Sequence, residues 1–293
     1  MGTNIDSMIY RQNLVLGALL ITLSELAFAS MGAVVKTVIQ QLPLEMVVFM
    51  RGLFGLLILG PLLFRRVKKQ LATTVIHLHL LRAFFGLSAM YCFFYALANL
   101  YLADGMLLKM TSPIFMPLIA ALWLKEGLSA RIWMAVAIGF AGVVFILHPQ
   151  GEFNRVALVG VAGGVFAAAA KVTVRRLSYT EPITRIVFYF TVLMTLLSAL
   201  PVLWVWRMPG LQEWLLILLL GSLGTLGQLL LTRGYSIAAP SQVGAFTYFS
   251  VVFAAIYGYL FWDEVPGLSF AIGTGLIVAA GMIALRTASL REY

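Results

Sequence analysis

Charge is scarce in this sequence. Only 11% of its 293 residues are Asp, Glu, Lys or Arg, whereas a soluble domain carries about 25% because its surface must be solvated. So few charges cannot coat a globule of this length. Cysteine is rarer still. Cys92 is the single one and lies in an apolar stretch, which excludes a disulfide framework within the chain and a cysteine metal site. Three histidines occur, and the His77-x-His79 pair has no carboxylate cluster beside it. We read these as ordinary interfacial histidines and expect neither metal nor cofactor. No GxxxxGK[ST] phosphate loop is present, which argues against ATP-driven work by this chain alone. What the sequence has in abundance is apolar residues, at 62% with mean hydropathy +0.99.

Those residues come in runs near the roughly 20-residue length that a helix needs to cross a bilayer core. Short gaps separate them, and no stretch remains for a soluble domain. Ten spans are predicted, at 13–38, 44–63, 79–100, 103–124, 130–147, 156–174, 182–205, 213–235, 240–261 and 268–286. They must be helices, because hydrocarbon offers backbone groups no other partners. Placing the N-terminus in the cytoplasm leaves thirteen Lys and Arg on that side, among them Arg65, Arg66, Lys68, Lys69, Lys125, Arg175 and Arg176. Only Lys36, Arg155 and Arg207 fall on the other side. By the positive-inside rule both termini are cytoplasmic. The net charge of +9 thus belongs to membrane topology rather than to nucleic acid binding. Arg11, the apolar run after it and Ala27-Phe28-Ala29 imitate a signal peptide. Apolar sequence resumes at once, so this segment is read as the first span.

The chain repeats itself at an offset of 138–140. Ser112 matches Ser250, Phe115 matches Phe253, Glu126 matches Glu264, Pro43 matches Pro182, and Pro61 matches Pro201. The division is 1–150 and 151–293, with five spans in each half. An odd number forces the second half into the membrane upside down, and such inverted repeats recur in alternating-access carriers.

The first half reads Leu81-Arg82-Ala83, then Phe93-Phe94-Tyr95-Ala96-Leu97. Ala103-Asp104, Thr111-Ser112-Pro113-Ile114-Phe115 and Leu122-Trp123-Leu124-Lys125-Glu126 follow. This pattern resembles the EamA branch of the drug/metabolite transporter superfamily over essentially the whole chain. The resemblance implies an all-α, ten-helix integral membrane carrier in a bacterial inner (plasma) membrane, with a cavity between its halves. Such carriers often export amino acids or other metabolites; related members import S-adenosylmethionine or riboflavin. Its partners would be lipids, a small-molecule substrate and, if Glu25 titrates, protons. A ten-helix chain can enclose its own cavity, so a monomer or weak homodimer is expected. Two other classes fit less well. A passive channel would show no saturable counterflow, and a membrane-embedded enzyme acting on lipids needs a cluster of reactive groups that is not found.

Ionisable residues inside spans normally face a bundle interior. Glu25 lies about 17 Å along the first helix at 1.5 Å per residue, near the midplane, with Arg51 and Lys109 at similar depth. Arg82, Lys171 and Arg233 sit nearer the cytoplasmic ends and are read as snorkelling. For Glu25 two readings stand open: a structural ion pair with Arg51, or a site for a proton or a substrate ammonium. Lys109 either faces the cavity or anchors its helix to neighbouring carbonyls. The repeat counterparts of Arg51 and Lys109 are Thr191 and Thr247, so repetition does not explain these charges. Two cations and one acid would suit a zwitterion or an anion. Helical spacing adds Ser112 beside Lys109, Ser250 beside Thr247, and Tyr91, Tyr95 and Gln228 as further cavity candidates. The glycines facing inward are read mainly as packing contacts.

Overall fold

The computed structural model describes residues 14–67, 72–124, 130–147, 155–237 and 244–289. Arg11, Lys68, Lys69, Lys125, Glu126, His148 and Arg291 lie outside the described residues. Among those described there is no strand. The helices are α1 (Leu14–Val38), α2 (Leu44–Val67), α3 (Ile76–Asn99), α4 (Leu102–Lys109), α5 (Ser112–Leu124) and α6 (Ala130–Leu147). They continue with α7 (Arg155–Ser178), α8 (Ile183–Val205) and α9 (Leu211–Ile237). A 3-10 turn (Gly244–Tyr248) leads into α10 (Phe249–Trp262), and α11 (Leu268–Ser289) ends the bundle. Six stretches are long and apolar enough to cross a membrane, and three shorter apolar helices accompany them. Large apolar side chains cover the outside, such as Leu196, Leu200, Leu203 and Trp204 on α8 and Leu215, Leu219, Leu226 and Leu229 on α9. A surface of this kind is stable against lipid and not against water.

The halves interlock. The heaviest pairings are α1 with α9, α3 with α7, α6 with α11 and α2 with α8. Exchanging the halves turns the first pairing into the second and maps the other two onto themselves. A glycine lies in each of the four contacts. A Cβ on Gly227 would meet the Phe28 ring at 2.9 Å, and one on Gly163 would meet Cys92 Cβ at 2.9 Å. Added to Gly142 it would meet Ile277 at 2.9 Å and Gly273 O at 3.0 Å, and on Gly52 it would meet Met194 at 2.9 Å. Lipid supplies no hydrophobic drive between helices, so close backbone approach through small residues is what joins them. Polar contacts reinforce it: Ser24 Oγ donates to Gly227 O at 2.9 Å, and the hydroxyls of Ser30 and Tyr257 are 2.9 Å apart.

One span expected to be continuous is broken, and the matching span of the second half is wound as a 3-10 turn at the corresponding place. In the first half the helix stops at Lys109 and restarts at Ser112. Pro113 has no N–H to return to the Lys109 carbonyl, and Thr111 Oγ1 donates instead to Leu108 O at 2.6 Å. The second half has Val251 where the first has Pro113. There the tighter 3-10 turn passes directly into α10, and Ser250 Oγ donates to Thr247 O at 2.9 Å. A side-chain hydroxyl bonding a carbonyl three residues back thus marks both places.

On the connection between α7 and α8, Glu181 accepts hydrogen bonds from Thr73 Oγ1 at 2.6 Å and from Arg185. Burial alone would raise its carboxyl, but these two partners hold it below the ordinary value.

Gly142→Leu should destabilise the protein by about 1–3 kcal/mol, the usual range for overpacking, and lower its melting temperature in detergent. Gly275→Leu, where an added Cβ meets nothing within 4 Å, should leave the melt unchanged. Equal melts for the two variants would refute the close-approach account.

Candidate functional site

Ionisable residues of several spans gather at the break between α4 and α5. Glu25 on α1 is 3% exposed, and one of its carboxylate oxygens has no hydrogen-bond partner. Its electrostatic neighbours are Lys109 and Lys171, with the Ser250 hydroxyl alongside. Lys109 closes α4, with its ammonium 4.8 Å from the Phe28 ring centre and 5.2 Å from that of Phe93. It also lies in the field of Arg51. Arg51 Nε is buried without a partner. A Cβ on Gly224 would sit 3.7 Å from that atom, so the small face of α9 gives the guanidinium room. Lys171 Nζ donates to Ser112 Oγ at 2.7 Å. Lys171 itself lies at an exposed position on α7.

Glu25 and Arg51 form no ion pair, which removes the structural pairing considered from sequence. The charges that Glu25 meets are the two lysines. Lys171 is the residue missed: its place near a helix end suggested snorkelling, yet its ammonium reaches inward to the broken helix. The signal for it was present, since Gly160, Gly164, Ala167 and Lys171 share one face of α7. A Cβ on Gly160 would meet Leu108 at 2.5 Å, and one on Gly164 would clash with the Thr111 hydroxyl. That face therefore packs on the broken span. Ser112 and Ser250 are buried, and the Thr247 carbonyl is tied to Ser250.

Tyr91 has a buried hydroxyl without a partner and lies near the charge of Glu45. Tyr95 is 39% exposed, and Gln228 is exposed on α9. The His77-x-His79 pair splits, with His77 exposed and His79 buried against the Tyr189 ring at 4.5 Å.

A second polar centre lies at the end of the bundle where α1 finishes. Lys36 Nζ donates to Leu100 O at 2.6 Å and forms an ion pair with Glu264 Oε1. Glu264 Oε2 accepts the Leu102 N–H at 2.7 Å, supplying a cap for the start of α4. The Trp262 ring lies 5.5 Å from the same ammonium. One buried lysine thus ties α1 to the α3–α4 connection and to the segment after α10. From sequence, Lys36 counted only as a loop charge and Glu264 only as a repeat marker.

A model of the EamA-like transporter family matches residues 15–148 and again residues 154–286. The chain belongs to the EamA-like transporter family. It is 35% identical over 273 residues to a pseudopaline exporter of Pseudomonas aeruginosa, covering 92% of this chain and 95% of that protein. A riboflavin transporter of Vibrio cholerae is 30% identical over 89% of this chain and 90% of its own. An S-adenosylmethionine uptake transporter of Rickettsia bellii is 26% identical over 80% and 81%. A crystal structure at 20% identity superposes with a TM-score of 0.62 over 94% of this chain and 99% of that one, which shows a shared fold. This EamA chain is accordingly a two-repeat, multi-pass membrane transporter and not an enzyme.

Removing one partner of the buried Lys36–Glu264 pair should cost about 3–5 kcal/mol, because the other charge is left unpaired. In thermal unfolding in detergent, Lys36→Met and Glu264→Gln should each lower the melting temperature, and the double variant should lose clearly less than their sum. Additivity within about 0.5 kcal/mol would show that the two do not interact.

Proposed function

We propose that this EamA protein is a secondary carrier that moves an amino-acid-like zwitterion across a bacterial inner membrane by alternating access. In this reading it has ten spans, taking α4 with α5 as one and the 3-10 turn with α10 as one, arranged as two inverted repeats over 1–150 and 151–293 with both termini cytoplasmic. The observation that carries the proposal is the gathering of Glu25, Arg51, Lys109 and Lys171 around the break between α4 and α5. Carriers of this kind bind their solutes at unwound helix segments near the midplane. A substrate carboxylate would lie against Arg51 and Lys109 and its ammonium against Glu25. With Glu25 also able to take up a proton, proton exchange would drive the solute outward.

Alternation needs one end closed while the other is open. On the proposed topology the Lys36–Glu264 pair closes the extracytoplasmic end, and Lys171, nearer the cytoplasmic end of its helix, faces the other. Export is favoured because the relative with 35% identity is named an exporter; the uptake carriers are more distant. Tyr91, Tyr95, Gln228 and Thr247 are retained as outer members of the solute path.

The test is counterflow of labelled amino acids and S-adenosylmethionine in proteoliposomes, with wild type beside Glu25→Gln. Saturable wild-type counterflow that the variant loses is the expected result. Retained counterflow with loss of pH-driven accumulation would assign Glu25 to proton coupling alone. Flux without saturation would replace the carrier by a channel.

A further inference from the structure

The charges of the central cluster do not balance. Lys171 is in electrostatic contact with Lys109, Glu25 and also Arg82, which extends the group from Arg51 on α2 through α4 and α7 to α3. Four cations thus stand against the single carboxylate of Glu25. Among the described residues, none of the four has a carboxylate within ion-pairing distance.

Their contacts are of another kind. Lys109 sits between the Phe28 and Phe93 rings, and Arg82 lies over the Phe190 ring at 3.9 Å. Lys171 holds a serine hydroxyl. Aromatic faces attract a cation, and a hydroxyl solvates it, but neither cancels its charge. Donor groups also remain unused: Nε of Arg51, and Nε and Nη1 of Arg82, are buried without a partner. An orphaned buried donor on a charged group is costly. The start of α5 at Ser112 adds the positive end of a helix dipole on the same side. A monocarboxylate amino acid brings one negative charge and one positive, and would leave this surplus in place.

We infer that the central site takes a solute with at least two anionic oxyacid groups, carboxylate or phosphate, beside one ammonium. The inference rests on the carrier reading and narrows its substrate class. One acid group would bridge Arg51 and Lys109, and a second would lie between Lys171 and Arg82. The ammonium is left to Glu25, the only group there that can accept it. Arg favours planar, bidentate anions, and Lys serves as a point charge. A solute with separate acid groups uses both.

The experiment is thermal unfolding of the purified full chain in detergent with alanine, lysine, glutamate, N-carboxymethylaspartate or O-phosphoserine added. Bound ligand raises the melting temperature. The di- and triacids should stabilise, with the carboxylate and phosphate probes separating the two anion types, while alanine and lysine should not. Lys171→Gln should abolish the shift and Lys171→Arg should retain it. Ser112→Ala, a milder change, should weaken the apparent affinity about tenfold through loss of a bond to a charged group. Stabilisation by alanine equal to that of the triacid would overturn the inference, as would no shift with any polyacid. Counterflow separates this from the carrier reading. Alanine exchange with equal stabilisation keeps the carrier and rejects the charge argument. Polyacid stabilisation without counterflow does the reverse.

Discussion

Hydrocarbon solvates neither a charge nor an open peptide group, and the arrangement of this bundle follows from that constraint. Every ionisable side chain within a span must find protein, water or a ligand. Lys36 finds Glu264 and a backbone carbonyl, and Glu264 in turn completes the start of α4. Glu25, Lys109 and Lys171 find one another around the break between α4 and α5. The same constraint explains why that break is interior: irregular backbone at membrane depth survives only where protein or a cavity surrounds it.

Scaffold and charge obey different symmetries. Packing is nearly unchanged when the halves are exchanged, since the pairing α1–α9 becomes α3–α7 and each is closed by a glycine. The ionisable groups are not. Arg51 and Lys109 have threonine counterparts, and the acid of the cluster comes from the first half alone. On the alternating-access proposal, a symmetric frame would give two related conformations, and an asymmetric set of charges would make their two ends differ.

Much of this was legible in the sequence. Apolar run lengths located the spans, and the constant offset between Ser112 and Ser250 or Glu126 and Glu264 exposed the repeat. Depth along the helix singled out Glu25, Arg51 and Lys109. Three things were hidden. The 3-10 turn before Phe249 has no proline to announce it, because such a turn leaves no composition mark. Lys171 was misplaced because depth along a helix says how far in a residue lies, not which way a long side chain turns. The Lys36–Glu264 pair joins residues from opposite ends of the chain, and pairing across helices is set by tertiary packing, which residue spacing does not encode.

The interlocking of the halves bears on how the protein is made. α1 is completed early in synthesis, yet its main partner α9 emerges only near the end; α3 likewise waits for α7. The helices of the first half must therefore enter the bilayer with their glycine-contacting faces unmatched and persist there as separate inserted segments. Association of the bundle is then a late event, gated by translation of the second half. A truncated chain lacking α9 would leave α1, and with it Glu25, facing lipid or a quality-control protease.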